Sequence, residues 1–360
     1  MNDGGKSDGL VVPAKSPNNA GVPVAEAMEG RGPAEGNAAS KTRAGRSAGS
    51  DAPSALDRVR HRARAGKDVQ FTALLHHVDV DRLREAYRAI NPHAATGVDG
   101  IAWTAYGQDL EANLVDLHRR VHRGGYRATP TRRAYIPKHD GRKRPLGVAA
   151  LEDKILQRAV VEVLNSIYEA DFLGFSYGFR PGRGPHDALD ALAAGIYNQK
   201  VNWVLDADIR DFFGSLDHST LLRLLGHRIV DRRVLRLIQK WLGAGVIEDG
   251  AWSQTERGTA QGASASPLLA NVYLHYVFDL WAHRWRRRNA SGDVIIVRYA
   301  DDYIVGFQHR DDAQRFLADL RDRLAAFGLE LAPEKTRLIQ FGRFAAQQRA
   351  ARGLGKPETF

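Results

Sequence analysis

Two runs patterned like strands, 294–298 and 303–307, flank Tyr299-Ala300-Asp301-Asp302. That spacing asks for a tight antiparallel hairpin with two carboxylates side by side on its turn. Like charges that close repel, so the pair is costly unless cations hold it. Val204-Leu205-Asp206-Ala207-Asp208-Ile209 reads as another strand, ending in acids and followed by Phe212-Phe213. If Asp208 meets Asp301 and Asp302, three carboxylates can hold two divalent cations, the apparatus of nucleotidyl transfer. Taken alone, Asp301 and Asp302 are explained equally well as a charged turn, because Asp is common in turns.

The remaining sequence narrows that choice. At 360 residues the chain has room for about two domains. Its formal charge of +10 and pI near 9.8 suit a polyanionic partner, and also suit simple solubility. There is no cysteine, which excludes disulfides and thiolate metal sites. Val11-Val12 is too short for the apolar core of a signal peptide. No run approaches the roughly 20 apolar residues of a membrane span. The expectation is a soluble, cytoplasmic protein that does not engage a membrane.

Residues 1–54 are rich in Gly, Ala, Ser and Pro, and the first aromatic is Phe71. Such a segment buries too little apolar surface to offset its ordering entropy, and is expected to be disordered. A basic stretch over 56–67 follows, readable as a solvated helix face or as a phosphate-contacting arm. Helical periodicity appears over 80–91, 105–123, 152–172 and 185–198. Between the second and third of these lies a basic, Pro-punctuated hairpin at 127–147, able to grip a triphosphate. The loop Ser176-Tyr177-Gly178-Phe179-Arg180-Pro181-Gly182-Arg183-Gly184 interleaves aromatics with arginines, a mixture that suits a nucleic-acid strand.

From Val201 strands and helices alternate: a strand at 204–209, helices at 218–225 and 234–242, one long helix at 267–288 with Ser266 as its cap, the acidic hairpin, a helix at 312–327, and a strand at 337–341. Strand, helix, hairpin, helix, strand is a split β-α-β, ferredoxin-like order, which can bring the end of the first strand beside the hairpin. The fold class expected is α+β.

These blocks, in this order, resemble reverse transcriptases, most closely those encoded by bacterial group II introns. The resemblance rests on Gly97-Val98-Asp99-Gly100, Tyr135-Ile136-Pro137-Lys138, Arg144-Pro145-Leu146-Gly147 and Phe175-Ser176-Tyr177-Gly178-Phe179-Arg180-Pro181. It continues through Asp208-Ile209-Arg210-Asp211-Phe212-Phe213, Gly258-Thr259-Ala260-Gln261-Gly262, Ser266-Pro267-Leu268-Leu269-Ala270-Asn271, Arg298-Tyr299-Ala300-Asp301-Asp302 and Glu334-Lys335-Thr336. It implies a right-hand polymerase fold, with fingers at 55–200 and a ferredoxin-like palm at 201–360. Asp208, Asp301 and Asp302 would bind two Mg²⁺ ions, with Mn²⁺ as a substitute and the Ile209 carbonyl as a further ligand. Lys335 would serve near the leaving pyrophosphate. Lys138 and Arg144 would hold the incoming triphosphate, Phe213 would pack under its sugar, and Gln261 would line its pocket. Tyr299 would lie beside the primer end, with Arg180 and Arg133 as primer or template contacts.

Two departures stand out. Ala260 replaces a usual proline, and Ala263-Ser264-Ala265-Ser266 replaces a usual glycine and aliphatic pair, which loosens the Gln261 loop. Residues 355–360 match the start of the family's next palm block, so the expected thumb is missing and the grip on primer and template is expected to be weak. The implied reaction is addition of deoxynucleotides to a DNA or RNA primer on an RNA template, with intron RNA as a further partner. Two other functions stay open: an RNA-binding splicing cofactor with little polymerase activity, and an inactive remnant. A retron, diversity-generating or defence setting is also open.

Overall fold

In the computed structural model residues 54–137, 141, 143–342, 345–353 and 355–356 are described. The segment expected to be disordered lies outside them apart from Ser54, and so does Lys138. Helix α1 (Ala55–Ala65) begins at Ser54, whose hydroxyl accepts from the Asp57 amide at 3.1 Å. It lays Val59 and Ala63 against the chain's central helix. Helix α2 (Val80–Arg88) is capped by Asp79, and α3 (Leu110–His122) buries Leu114, Leu117 and Val121. Their partner is α4 (Leu151–Asp171), apolar around most of its circumference and buried accordingly. Then come α5 (Pro185–Asn198), α6 (His218–Leu225) and α7 (Arg232–Leu242), the last two capped by Asp217 and Asp231.

The expected helix at 267–288 is interrupted. It runs as α8 (Ser266–Leu274), a π turn (His275–Asp279) and α9 (Leu280–Arg288). Ser266 does not cap it either. Its hydroxyl donates to the Ala260 carbonyl at 2.8 Å and meets Thr259 Oγ1 at 2.6 Å, tying the helix start to the Gln261 loop. Helix α10 (Arg310–Ala325) follows the acidic hairpin, and Gly328 (φ +68°) turns the chain after it.

Among the described residues, the strands form two four-stranded sheets. The first has the order β2 (Lys143–Val148), β1 (Thr131–Pro137), β4 (Val246–Glu248), β5 (Ala251–Ser253). Residues on both sides of position 200 therefore share one sheet. The β4–β5 hairpin was not expected, although Asp249-Gly250 signals it. Those residues have φ of +49° and +81°, the left-handed pair of a two-residue turn.

The second sheet has the order β6 (Val294–Tyr299), β7 (Asp302–Phe307), β3 (Trp203–Asp208), β8 (Arg337–Gln340). Every neighbouring pair in it is antiparallel, so β3 and β6 run the same way with β7 between them. Alternation sorts its side chains. Leu205, Ala207, Ile296, Tyr303, Val305 and Phe307 join the main core. Val204, Ile295 and Val297 face a smaller cluster with Ala188 and Leu192 of α5, and Tyr299 and Ile304 pack at its margin.

Candidate active site

The β3–β7 register sets Asp208 directly opposite Asp302. Residues so paired lie about 4.5–5.5 Å apart at Cα. The β6–β7 hairpin closes through the pair Tyr299 and Asp302, leaving Ala300 and Asp301 as its two turn residues. Ala300 takes φ of +56°, a conformation that costs an L residue energy and usually falls to glycine. The acids at 208, 301 and 302, separated by up to 94 positions in sequence, thus share the end of one sheet.

Electrostatics record the crowding. Asp302 stands at an open rim, exposed to water on one side and enclosed by protein on the other. That burial, followed by repulsion from Asp301 and then Asp208, pushes its carboxyl up to about 7. Burial also raises Asp301, opposed by its own backbone amide and by the cations of Lys335 and Arg144, while Asp208 adds to the rise. Lys335 hydrogen-bonds and ion-pairs with Asp208, and that contact raises its own pKa. The segment before β8 is fixed by the Ala332 amide, which donates to the Asp208 carbonyl at 2.8 Å.

Among the described residues no three His, Cys, Asp or Glu side chains are already arranged as a metal cage, Asp208 being turned to Lys335 instead. The donor set nevertheless suits a hard divalent cation. It consists of oxygen alone, from three carboxylates whose mutual repulsion a cation would relieve.

The other expected residues fall in different places. Arg144 is exposed on β2 and close enough for its charge to act on Asp301. Phe213 and Gln261 line one cleft of about 250 Å³ together with Arg133, Asp211 and Arg257. The Gln261 carbonyl accepts from the Gly147 amide at 2.8 Å, and a side chain at 147 would meet Ala260 Cβ at 2.8 Å, so the loop rests on β2. Arg133 is half-buried, 3.6 Å from Glu248. Tyr299 is half-buried beside the carboxylates. Arg180, expected at primer or template, is buried. It grips Glu169 through Nε and Nη2 and gives Nη1 to the Leu173 and Ser176 carbonyls at 2.9 and 2.7 Å. Its guanidinium is therefore committed to the loop it sits in.

The sequence assigns no role of their own to Asn271, Asp279 or Arg298, and reads Phe179 only as one aromatic of the 176–184 loop. Phe179 holds φ of +60° and meets Phe213 edge-on at 6.4 Å. Arg298, on β6, points away from the carboxylates and is fully buried against Asp279.

Residues 136–356 match the family described as reverse transcriptase (RNA-dependent DNA polymerase). Protein YkfC of Escherichia coli is 33% identical over 238 residues, covering 58% of this chain and 62% of that protein. The group II intron-encoded protein LtrA of Lactococcus lactis is 35% identical over 222 residues, covering 61% of this chain and 37% of LtrA. A 91 kDa protein in the cob intron of Schizosaccharomyces pombe is 31% identical over 261 residues, covering 58% of this chain and 32% of that protein. The chain therefore spans less than two-thirds of each of these relatives. No helix among the described residues is long and apolar enough to cross a membrane.

Proposed function

This chain belongs to the reverse transcriptase family of RNA-dependent DNA polymerases, and from that premise we propose that it adds deoxynucleotides to a primer 3′ end on an RNA template, in the service of a group II intron. The observation that carries the proposal is the facing pair Asp208 and Asp302 with Asp301 on the adjoining turn. In this reading the β6-β7-β3-β8 sheet is a ferredoxin-like palm. Residues 55–200 with the Val246–Ser253 hairpin form the fingers, and the rest of 201–360 forms the palm.

Asp208, Asp301, Asp302 and the Ile209 carbonyl would hold two Mg²⁺ ions, or Mn²⁺ in their place. Bound cations there supply activation of the primer hydroxyl and compensation of charge on the pyrophosphate. The chain's own groups do the remainder. Arg144, with Lys138 beyond the described residues, holds the triphosphate. Phe213, braced by Phe179, packs under the sugar and disfavours a 2′-hydroxyl. Gln261 lines the nucleotide pocket on a loop that rests on β2. Lys335, paired with Asp208 in the cation-free site, would keep a proton for the departing pyrophosphate. Tyr299 borders the primer end and Arg133 the template. Arg180 contributes by shaping its loop.

Intron RNA is the further partner proposed, because the relatives LtrA and the cob-intron protein are intron-encoded or lie in an intron. Splicing stimulation without primer extension would favour the binding role over polymerisation. The direct test is extension of a primed homopolymer RNA with deoxynucleotides, run with the full-length protein and with Asp301→Ala. Extension is expected to fall at least about 10²-fold in the variant, because positioning and charge compensation are lost together. Activity like that of the parent in the variant rejects the assignment.

A further inference from the structure

Arg298 leaves none of its five N–H groups unspent. Nε and Nη2 each donate to one oxygen of Asp279 at 2.7 Å. Nη2 also donates to Ser176 Oγ at 2.7 Å. Nη1 donates to Asn271 Oδ1 at 3.0 Å and to the Ala300 carbonyl at 2.9 Å. Asn271 in turn donates through Nδ2 to the Gly178 carbonyl at 2.8 Å. Gly178 lies against the hairpin so tightly that a Cβ there would sit 2.2 Å from the Ala300 nitrogen. The backbone closes the arrangement, with the Arg298 amide donating to Phe175 and the Tyr177 amide donating to Arg298. One buried cation thus joins a loop, a helix and the left-handed residue that precedes Asp301.

The helix reaches Arg298 twice, from Asn271 and from Asp279, eight positions apart. On an uninterrupted α-helix those side chains would point about 80° apart. The π turn lies between them, ending where the Leu280 amide donates to the His275 carbonyl, i to i+5. Such a turn accommodates one extra residue, so the two positions return to within about 20° of each other. A straight helix could offer Arg298 one partner but not both.

We propose that Arg298, held by Asn271 and by the Asp279 that the π turn brings round, is a positioning residue that fixes the Ala300–Asp301 turn so that Asp301 and Asp302 face Asp208. The inference rests on the reading of those carboxylates as the metal-binding centre. Its physical basis is the fork geometry of arginine, which five acceptors satisfy here and a lysine ammonium could not.

The test uses the full chain without nucleic acid. Amide hydrogen exchange across 299–303 and Mn²⁺ affinity by electron paramagnetic resonance are measured for the parent, Arg298→Lys and Asn271→Ala. Leu117→Ala, a fully buried position on α3, is the control for loss of stability alone. Asn271→Ala removes a single neutral arm and keeps the test available if Arg298→Lys fails to fold. Each folded clamp variant is expected to speed exchange at the hairpin and to weaken Mn²⁺ binding about tenfold, while Leu117→Ala leaves Mn²⁺ affinity unchanged. Hairpin exchange and Mn²⁺ affinity equal to the parent's in the folded clamp variants would overturn the proposal. A parent protein that takes up no Mn²⁺ would instead overturn the reading of the centre, and the exchange data alone would then decide whether Arg298 fixes the turn.

Discussion

The two faces of the sheet at its β6–β7 end treat charge in opposite ways. On the front, Asp208, Asp301 and Asp302 crowd together at an open rim, with the ammonium of Lys335 beside them. On the back, Asp279 and Arg298 are both fully buried and meet in a two-pronged pair. A buried pair of that kind adds little net stability, yet losing either member costs about 3–5 kcal/mol. The contrast separates two uses of a carboxylate. Where charge is left unbalanced at a surface, the fold tolerates a cost that a ligand can relieve. Where charge is matched and sealed, it specifies geometry. Strand alternation carries one use into the other, because neighbouring residues of the same hairpin face opposite ways.

The largest effect that could break this contrast is steric. Gly178→Ala would press a methyl group onto the Ala300 backbone nitrogen at 2.2 Å, where no side chain can move aside. Overpacking of that kind costs about 1–3 kcal/mol, and the hairpin must shift to accommodate it. Thermal unfolding should show the loss, and primer extension should fall by more than the loss of stability explains. Gly174→Ala, which meets nothing within 4 Å, should leave both unchanged. Equal behaviour of the two variants would mean that the back face does not set the front.

A smaller effect, of opposite sign on the two faces, lies in pH. Asp302 has its carboxyl raised to about 7 in the folded protein, so between about pH 4 and 7 the native state holds more protons than the unfolded chain. Its contribution to stability is therefore lost as pH rises through that window. His275, in the π turn, is pushed down to about 4 by burial, with Asp279 opposing and Arg298, Lys67 and Arg180 reinforcing the fall. Its unfolded value is near 6.5, so its contribution is lost as pH falls from about 6.5 towards 4. In cation-free buffer the stabilisation from Asp302→Asn should grow with pH, whereas the deficit of His275→Gln should shrink as the solution is acidified. Tm series from pH 4.5 to 7.5 check both, and parallel curves for variant and parent would remove the electrostatic distinction.

The front face was legible in the sequence and the back face was not. Two short, nearly continuous apolar runs on either side of a two-residue turn signal a hairpin buried on both faces, and the period of two then sets the direction of every side chain in it. The order of strands and helices then brings Asp208 to the hairpin. Arg298 carries no such signal. An arginine next to a strand end reads as a surface charge, and its side-chain partners lie 19, 27 and 122 positions away. A π turn is equally silent, since one extra residue barely disturbs the apolar stripe of an already buried helix. Arg180 shows the converse error, because aromatics interleaved with arginine suggested a nucleic-acid surface while Glu169 holds the guanidinium inside. Asp249-Gly250 marks the turn of the β4–β5 hairpin, but its strands, only three residues each, are too short to show a period.

The smallest effect gives the finest discrimination. Ala300→Gly removes the strain of a left-handed L residue, about 1–2 kcal/mol, and adds the greater unfolded-state freedom of glycine, about 0.5–1 kcal/mol. The two partly cancel, so stability should rise by no more than about 1.5 kcal/mol. If the Arg298 guanidinium holds the turn through the Ala300 carbonyl, Mn²⁺ affinity should change less than about twofold, since that carbonyl is still gripped. In an Arg298→Lys background the same change should weaken Mn²⁺ binding further, because glycine widens the conformations open to a turn that the guanidinium no longer holds. A double-mutant cycle in Mn²⁺ affinity measures that coupling. Additive effects of the two substitutions would show that the turn keeps its shape from the strand pairing without the guanidinium, and that the back face contributes stability without direction.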